Sequence, residues 1–258
     1  KVLSRFKNEE DGKYLVEHIL SLEALIENIC GNKDSKGVLI VSLDMLTGKE
    51  IFKKIAGLNK KISWENIWVL SSISKLEVSI IKQLINKNIR VIRYIQNMAI
   101  SVGQGIISAY IEPEYREEGE FIFKRIFQGC GKVILVDKEA YIDAARIITA
   151  STIGIFTYFA KILSDSIKEL GIKDFEEKAD EIVYYSISGL LLLCKDKQIK
   201  SWDELFKTIL VSPNKSGQPG TIEFVTNNLS SKNISQIIKD SIKECHKEYL
   251  HNNQKIEF

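Results

Sequence analysis

Short apolar runs alternate with amphipathic segments through the first half of the chain. Four runs rich in β-branched residues, at 37–43, 66–73, 89–95 and 131–137, are apolar at nearly every position. Runs that are apolar on both faces are typical of parallel strands covered on both sides of a sheet. These four runs therefore predict a sheet of parallel strands.

Helical periodicity separates the first three of these runs. Residues 47–58 place Phe52 and Ile55 on one apolar stripe, and residues 74–88 form a similar stripe that includes Leu76. Strands that alternate with helices of this length predict right-handed βαβ units. The first half is therefore predicted to be a doubly wound α/β domain.

Strand signals become sparse after Asp137, and helical periodicity takes over. Residues 140–170 have an almost continuous helical pattern that ends at Gly171, a residue type that often follows the last turn of a helix. A second helix is predicted to begin after Asp174, its N-cap, and to run to about Cys194. The C-terminal half is therefore predicted to be all-α.

This change of pattern predicts two domains, with bounds of 1–139 and 140–258. In the second domain, Ser201 and Glu204 have the spacing of a capping box at the start of a further helix. Residues 184–194, YYSISGLLLLC, are apolar nearly all round. We expect such a helix to be buried within its own domain or against a partner chain.

The charge balance excludes one class of partner. The chain has 258 residues, with 36 Lys and Arg against 34 Asp and Glu, and its net charge is +2. A protein that binds nucleic acid through electrostatic attraction carries a basic face, and this near-balance argues against one. We therefore expect no nucleic-acid partner.

The apolar stretches and the cysteines indicate a cytoplasmic protein. The two most apolar stretches, residues 147–160 and 186–194, are each too short to span a bilayer, so no membrane span is predicted. The four cysteines lie far apart, without a CxxC pair or a Cys/His set at zinc-ligand spacing. They are expected to be free thiols in a reducing compartment.

Familiar catalytic motifs are absent from the sequence. It contains no HExxH, GxSxG, P-loop or GxGxxG, and its aspartates form no recognisable metal loop, so we predict no metal site. GQG at 103–105 is not a dinucleotide fingerprint, because Ser108 stands where the third glycine would be. Hydride transfer remains open, because a nicotinamide cofactor carries the hydride and the protein mainly holds two reactants in register.

Four segments, in this order, resemble the pyrroline-5-carboxylate reductase family. Residues 90–105, RVIRYIQNMAISVGQG, are similar to the family's arginine–apolar–methionine–proline–asparagine segment and its Val-Gly-Glu-Gly-like turn. Residues 131–151 resemble the stretch that leads from the last strand into the first helix of the family's dimer domain. Residues 201–213 and 219–224 are similar to the helix and the Pro-Gly-Gly-Thr-Thr loop that close over the substrate. The resemblance covers nearly the whole chain.

The resemblance implies an α/β Rossmann-type N-terminal domain followed by an all-α dimerisation domain. It implies an NAD(P)H-dependent reductase that transfers hydride to a cyclic imine in proline synthesis. The implied assembly is a homodimer through the C-terminal helices, with higher oligomers left open. NADP, or NAD, is the implied cofactor, provided that a glycine-rich turn lies upstream of Lys1. We expect such upstream residues, because a Rossmann sheet without its central first strand would have a gap.

The resemblance also implies site residues, although none of them is an obligatory acid or base. The positions that match the family's cofactor contacts are Ser4, Arg5, Ser42, Leu43 and Asn97. The positions that match its substrate contacts are Asn97, Ser151, Gly220 and Thr221. Arg5 lies in KVLSRF, which looks like the family's second strand, and would hold the 2′-phosphate of NADP through paired, charge-assisted hydrogen bonds. Thr221 would form a hydrogen bond with the substrate.

Some of these residues have plainer interpretations. Asn97 also suits a strand-end turn with a short local hydrogen bond, and Arg5 is also an ordinary charged residue near a chain end. Residues 42–44, Ser-Leu-Asp, replace the family's Val-Lys-Pro, and residues 150–154 replace its Gly-Ser-Gly-Pro-Ala. These changes favour a non-catalytic divergent relative, of the late-competence-protein type, that keeps the fold and the dimer. A helical dimerisation module attached to a vestigial sheet is the third alternative.

Overall fold

The computed structural model describes most of the chain. The described residues are 3–8, 14–19, 37–57, 64–199, 201–205 and, with gaps at 235, 238–239 and 245–246, 233–247. The chain divides into two compact units, 1–149 and 150–258, so the division lies later than the predicted boundary at 139. The residues between these two boundaries belong to the first unit, and Ile142 and Ile147 among them are buried.

A two-stranded antiparallel sheet lies near the start of the chain. β1 (Leu3–Asn8) pairs with β2 (Tyr14–Ile19), with Ser4 opposite His18 and Arg5 opposite Glu17. Leu3–Phe6 of the KVLSRF segment therefore lie in a strand, but this strand is not part of the main sheet as the resemblance implied. The sequence between the two strands contains Asp-Gly, which is a strong signal for an antiparallel hairpin and which the sequence interpretation overlooked.

Five strands form the main sheet of the first unit. In spatial order they are β3 (Gly37–Val41), β4 (Ile67–Ser71), β5 (Arg90–Gln96), β6 (Gly105–Ile111) and β7 (Gly131–Val136). The β3–β4, β4–β5 and β6–β7 pairs are parallel, whereas β5 and β6 are antiparallel. All four apolar runs form strands, as predicted. The expected direction is wrong for β7, because β6 was missed and its short connection to β5 reverses the chain.

Helices cover both faces of this sheet. α1 (Met45–Gly57) and α2 (Val78–Leu84) pack on one face, and α3 (Arg116–Ile126) packs on the other. The first core contains Leu39, Val41, Phe52, Ile55, Val69, Ile81 and Val91, and the second contains Trp68, Leu70, Ile92, Tyr94, Ile107, Ala109 and Phe123. Successive residues of β4 and β5 alternate between the two cores, as the pleat of a strand requires. This layering confirms the predicted α/β domain.

Three further helices follow the sheet. α4 (Ala140–Glu169) matches the predicted long helix, and Gly171 after it has a φ of 68°. The predicted second helix is interrupted, because α5 (Lys173–Glu176) and α6 (Ala179–Asp196) are separate. Asp174 lies in the first turn of α5 and is not the N-cap of a long helix. The first turn of α6 instead has its own acidic residues, which the positive end of the helix dipole favours.

A capping contact begins the next described segment. The backbone N–H of Glu204 donates to Ser201 Oγ at 3.1 Å, and residues 202–205 are helical. This contact is one half of the predicted capping box. The PGT loop of residues 219–221 lies outside the described residues.

Candidate functional site

Polar residues follow all three parallel strands β3, β4 and β5. Ser42 follows β3, Ser72 follows β4 and Asn97 follows β5. Because carboxyl ends of parallel strands meet at one edge of a sheet, these residues lie along the same edge. Ligands of open α/β sheets bind in the crevice outside this edge. The edge is therefore the candidate site of the first unit.

Hydroxyl groups form a continuous row across this edge. Ser72 Oγ donates to Ser42 Oγ at 2.8 Å, and the Tyr94 hydroxyl is hydrogen-bonded to Ser72. The Tyr94 ring is 3% exposed and packs against Phe123 and Phe127, with ring centroids 5.5 and 5.1 Å away. Burial raises the pKa of Tyr94, and the hydrogen bond with Ser72 partly opposes this increase. We call Ser42, Ser72 and Tyr94 the hydroxyl row.

Asn97 has a local structural role at the end of β5. Its backbone N–H donates to the carbonyl of Ile106 at 3.2 Å, and its Oδ1 accepts from the Ile106 N–H at 3.2 Å. These two bonds close the turn to β6, which passes through the 3-10 helix Met98–Val102 and Gly103, with φ of 70°. The side-chain NH₂ of Asn97 has no partner within the described ranges and can still donate to a ligand.

Gln96 places a second amide beside Asn97. Gln96 Oε1 is buried, and no donor among the described residues bonds it. A buried acceptor of this kind is normally bonded to protein or to water. The edge thus combines an available amide donor, a buried amide acceptor and the hydroxyl row, all of them uncharged.

A charged cluster lies under the edge, on the α1–α2 side of the sheet. The Arg93 side chain is 2% exposed, its Nη2 donates to Asp143 Oδ1 at 2.7 Å, and its Nη1 donates to Glu139 Oε1 at 3.4 Å. Glu139 Oε1 also accepts from the backbone N–H of Val78 at 2.8 Å. These contacts tie the beginning of α4 to β5 and to the start of α2.

Glu139 gives this cluster a pH dependence. Burial raises the pKa of Glu139, although the Val78 N–H and the Arg93 charge oppose the increase. The folded protein therefore binds this proton more tightly than the unfolded chain, whose glutamate keeps the ordinary value of 4.5. The contribution of protonated Glu139 to the free energy of unfolding is fully present below pH 4.5. This contribution is lost as the pH rises through the pKa of Glu139 in the folded protein.

Glu139→Gln is expected to remove this pH dependence, because glutamine has no proton to lose. The free-energy difference between wild type and the variant should change in the glutamine's favour as pH rises above about 4.5. Urea unfolding of both proteins at a series of pH values measures this free-energy difference. Glu117→Gln, an exposed position on α3, is the matched control. A constant difference between wild type and Glu139→Gln across the series would contradict the assignment.

The structure places the sequence-predicted site residues in several different settings. Ser42 is exposed at the edge, Leu43 is partly buried against the first core, and Asn97 lies at the end of β5. Ser151 is half-buried on α4 in the second unit. The remaining predicted residues are Ser4 and Arg5, on β1 and outside the main sheet, and Gly220 and Thr221, outside the described residues.

Sequence interpretation missed two members of the edge, Ser72 and Tyr94. The only available signal was a polar pair, Ser71-Ser72, at the end of an apolar run. Tyr94 looked like an ordinary aromatic residue of a strand. Their contact depends on which residues of β4 and β5 are opposite one another, and that register is a property of the folded sheet.

The chain matches known proteins in fold and not in sequence. No family model matches the sequence, and no curated protein matches it. Solved structures of pyrroline-5-carboxylate reductases do match the fold. The enzyme from Coxiella burnetii has a TM-score of 0.71 at 17% identity, over 83% of this chain and 75% of that chain.

Two further reductases match similarly. The Plasmodium falciparum enzyme, solved with NADP bound, has a TM-score of 0.64 at 16% identity, over 81% of this chain and 77% of that one. The Streptococcus pyogenes enzyme has a TM-score of 0.64 at 14% identity, over 89% of this chain and 79% of that one. The resemblance to these reductases is therefore confirmed in fold, as a Rossmann-type α/β domain followed by a helical domain.

Proposed function

We propose that this chain is an NAD(P)H-dependent reductase that reduces a cyclic imine of the pyrroline-5-carboxylate type, as a cytoplasmic step of proline synthesis. The observation that carries the proposal is a fold shared with three pyrroline-5-carboxylate reductases over more than four fifths of the chain. NADP in the Plasmodium falciparum neighbour supports a nicotinamide dinucleotide as the cofactor. An imine substrate is supported by the names of the three neighbours, which are all pyrroline carboxylate reductases.

The donor set of the edge fits the nicotinamide half of such a cofactor. Ser42 and Ser72 supply hydroxyls that both donate and accept, and Asn97 supplies amide N–H groups. Ribose and carboxamide groups are uncharged and have both donors and acceptors, so these residues suit them. Arg5 would hold the 2′-phosphate, as the family resemblance implies. When bound, the reduced nicotinamide supplies the hydride.

The residues of the chain would orient the imine and exclude competing water. Asn97 would direct its NH₂ group towards the reactants, while Ser151, Gly220 and Thr221 would hold the substrate carboxylate and ring nitrogen. The imine carbon gains a hydride and the nitrogen gains one proton, so that the C=N bond becomes a C–N bond. Water or a hydroxyl supplies the proton, which requires no dedicated acid. Catalysis then comes mainly from position and orientation.

The test is oxidation of NADPH in the presence of pyrroline-5-carboxylate, followed by the absorbance of the reduced nicotinamide. We expect loss of absorbance that requires both compounds and the protein. NADPH and NADH titrations, followed by fluorescence, accompany the assay and establish which cofactor binds. The absence of both turnover and cofactor binding would sink the reductase proposal.

A second candidate is a non-catalytic relative that keeps the fold and binds a ligand without turnover. The favouring observation is that edge residues are used for local structure. Asn97 Oδ1 is bonded to Ile106, and Asp44 Oδ1 accepts from the Thr47 N–H at 2.9 Å at the start of α1. Asp44 stands where the family pattern has proline. Cofactor binding without turnover of pyrroline-5-carboxylate would favour this candidate.

Several large apolar side chains on the helices of the second unit are exposed within one copy of the chain. They include Phe156, Tyr158, Leu163, Tyr184, Tyr185, Leu191, Leu192 and Leu193. We propose that a second copy of the chain covers them, in a homodimer through the C-terminal helices. By length and composition alone, α4 could also cross a membrane, so the expectation that its apolar part is too short does not hold for the whole helix.

Ion pairs on the same helices favour a protein partner over lipid. Lys161 pairs with Asp165 on α4, and Lys168 on α4 lies 3.4 Å from Asp180 on α6. Charged groups within a bilayer-spanning segment are costly, whereas the rim of a protein interface accommodates them. These pairs are therefore compatible with an interface between two soluble copies.

Leu192→Glu is expected to convert the dimer into a monomer, because it places a carboxylate in an apolar interface. Leu192 is 67% exposed within one copy, so the substitution should leave the fold of that copy intact. Mass in solution, measured by light scattering at micromolar concentration, decides the result. Leu46→Glu, at a leucine 70% exposed on α1, is the control and should stay dimeric. A monomeric wild type that floats with phospholipid vesicles would contradict the dimer.

A further inference from the structure

Gln96 ends β5 with a side-chain amide that no neighbour satisfies. Its Oε1 is buried, and no donor in the described part of the chain bonds it. Its NH₂ group likewise has no hydrogen bond with any described residue. Buried acceptors without a donor are rare, because burial removes their hydrogen bonds with water and leaves nothing in exchange. The amide of Gln96 is therefore a candidate for contact with a ligand.

The pleat of β5 places Gln96 on the same side of the sheet as the hydroxyl row. Side chains alternate along a strand, so Gln96 and Tyr94, two residues earlier, are directed to one side. In the β5–β6 register Gln96 is opposite Ile107, which is fully buried in the second core. Gln96 itself is only half-buried. Its amide therefore lies where the second core meets the candidate ligand edge.

Asn97 is directed to the other side of the sheet. Its backbone continues β5 in an extended conformation, with φ of −96° and ψ of 167°, so its side chain alternates with that of Gln96. Its Oδ1 is also occupied, because it accepts from the Ile106 N–H at 3.2 Å. Of the two amide oxygens at this end of β5, only that of Gln96 still lacks a donor among the described residues.

The Gln96 amide can present its oxygen to a ligand without losing a bond. Oxygen and nitrogen exchange places by a half turn about the last side-chain torsion, which is broad and roughly two-fold in glutamine. Neither group has a partner among the described residues, so this turn breaks no hydrogen bond with them. A ligand N–H at the edge can then donate to the oxygen. In the nicotinamide half of the proposed cofactor, the carboxamide NH₂ is such a donor.

We propose that Gln96 binds the carboxamide of the nicotinamide, with Gln96 Oε1 as the acceptor of a carboxamide N–H. The inference rests on the proposed reductase function and assigns a residue outside the predicted site. Gln96 stands where the family segment has proline, which has no side-chain acceptor, so the contact is a property of this chain. The bond fixes the rotation of the carboxamide and so helps to orient the ring for hydride transfer.

The experiment compares two ligands, NADP⁺ and its 3-acetylpyridine analogue, in which a methyl group replaces the carboxamide NH₂. Titration calorimetry measures both dissociation constants for wild type and for Gln96→Met, which has a similar length and no acceptor. Wild type should bind NADP⁺ about three- to tenfold more tightly than the analogue, the value of one neutral hydrogen bond. Gln96→Met should lose affinity for NADP⁺ by this factor and should bind the two ligands equally.

Further measurements separate this contact from a structural role. Gln96→Glu keeps an acceptor and should keep the preference for NADP⁺, whatever its overall affinity. Gln104→Met is the matched control, because Gln104 is an exposed glutamine in the turn between β5 and β6, and its affinities should equal those of wild type. The thermal midpoint of Gln96→Met should equal or exceed that of wild type, because the variant removes a buried acceptor without a donor.

Two results would overturn the inference alone, provided that wild type binds NADP⁺. One is a wild type that binds NADP⁺ and the analogue equally. The other is the same preference for NADP⁺ in wild type and Gln96→Met. If wild type binds only the NAD form, NAD⁺ and its own 3-acetylpyridine analogue take the place of the two ligands. If it binds neither dinucleotide, the proposed function fails and this inference falls with it, so the wild-type titration separates the two failures.

Discussion

Replacing Arg93 with methionine is expected to lower the free energy of unfolding by about 3 kcal/mol. The Arg93 side chain is 2% exposed, and its guanidinium is the cation that Asp143 and Glu139 contact at 2.7 and 3.4 Å. The two carboxylates keep 21% and 22% of their exposure, so water recovers part of the lost interaction. The remaining cost comes from two partly buried anions left side by side. Urea unfolding at neutral pH measures the change.

Arg90→Met on the same strand is the matched control. Arg90 pairs with Glu118 at 2.8 Å, but its side chain is 24% exposed and its partner is 38% exposed. Loss of an exposed pair of this kind costs about 1 kcal/mol or less. Combining Arg93→Met with Glu139→Gln should recover part of the stability, because one stranded charge is removed. Equal losses for Arg93→Met and Arg90→Met would show that burial of the Arg93 cluster has no energetic consequence.

The parallel strands could be predicted because burial on both faces leaves a clear mark in the sequence. Every residue of β4 is buried, and its run IWVLS is correspondingly apolar. Phe52 and Ile55 on α1 are fully buried, as their helical spacing predicted. In both cases the local sequence pattern and the buried tertiary environment favour the same residues, which are apolar.

The strand β6 could not be predicted in the same way. Its sequence GIISAYI includes Ser108 and Ala109, which are both buried although neither is a strong strand former. The turn before it is built from a 3-10 helix and Gly103, and such a turn has no simple dipeptide signature. Missing β6 also made the direction of β7 wrong.

The charged cluster was hidden for a different reason. Arg93 lies in a run that was predicted to be a strand, and nothing nearby in the sequence could neutralise it. Its partners Glu139 and Asp143 are 46 and 50 residues away and come beside it only when α4 begins next to the sheet. Partners this distant in sequence are set by tertiary structure.

The candidate site was accessible to sequence interpretation only in part. Asn97 was found because it follows an apolar strand and matches a family pattern, and Ser42 was found only through its position in that pattern, where it replaces a valine. Ser72 and Tyr94 match no pattern, and their role depends on inter-strand register. The Asp-Gly hairpin signal before β2 was readable in the sequence, and it would have indicated that the strand with Ser4 and Arg5 pairs with β2 and not within the main sheet.

Gly131→Ala is expected to destabilise the first unit by about 4 kcal/mol, the sum of backbone strain and steric displacement. Gly131 has a φ of 136°, and a Cβ at this position would lie 2.0 Å from the carbonyl oxygen of Gly105 and 2.4 Å from its nitrogen. Gly105 faces Gly131 at the start of the β6–β7 pair, so the clash is with backbone that has nowhere to move. The next residue, Ile106, holds Asn97 through both of its backbone groups.

Displacement at Gly105 should therefore reach the ligand edge as well as the sheet, and NADPH affinity is expected to fall together with stability. Gly129→Ala separates the two causes of the effect. Gly129 has a φ of 83°, but no described atom lies within 4 Å of the position that an alanine methyl would occupy, so only the backbone strain of about 1–2 kcal/mol remains. Thermal and urea unfolding of both variants measure the difference. Similar losses at Gly129 and Gly131 would mean that β6 and β7 separate easily, and the coupling of this turn to Asn97 would have to be abandoned.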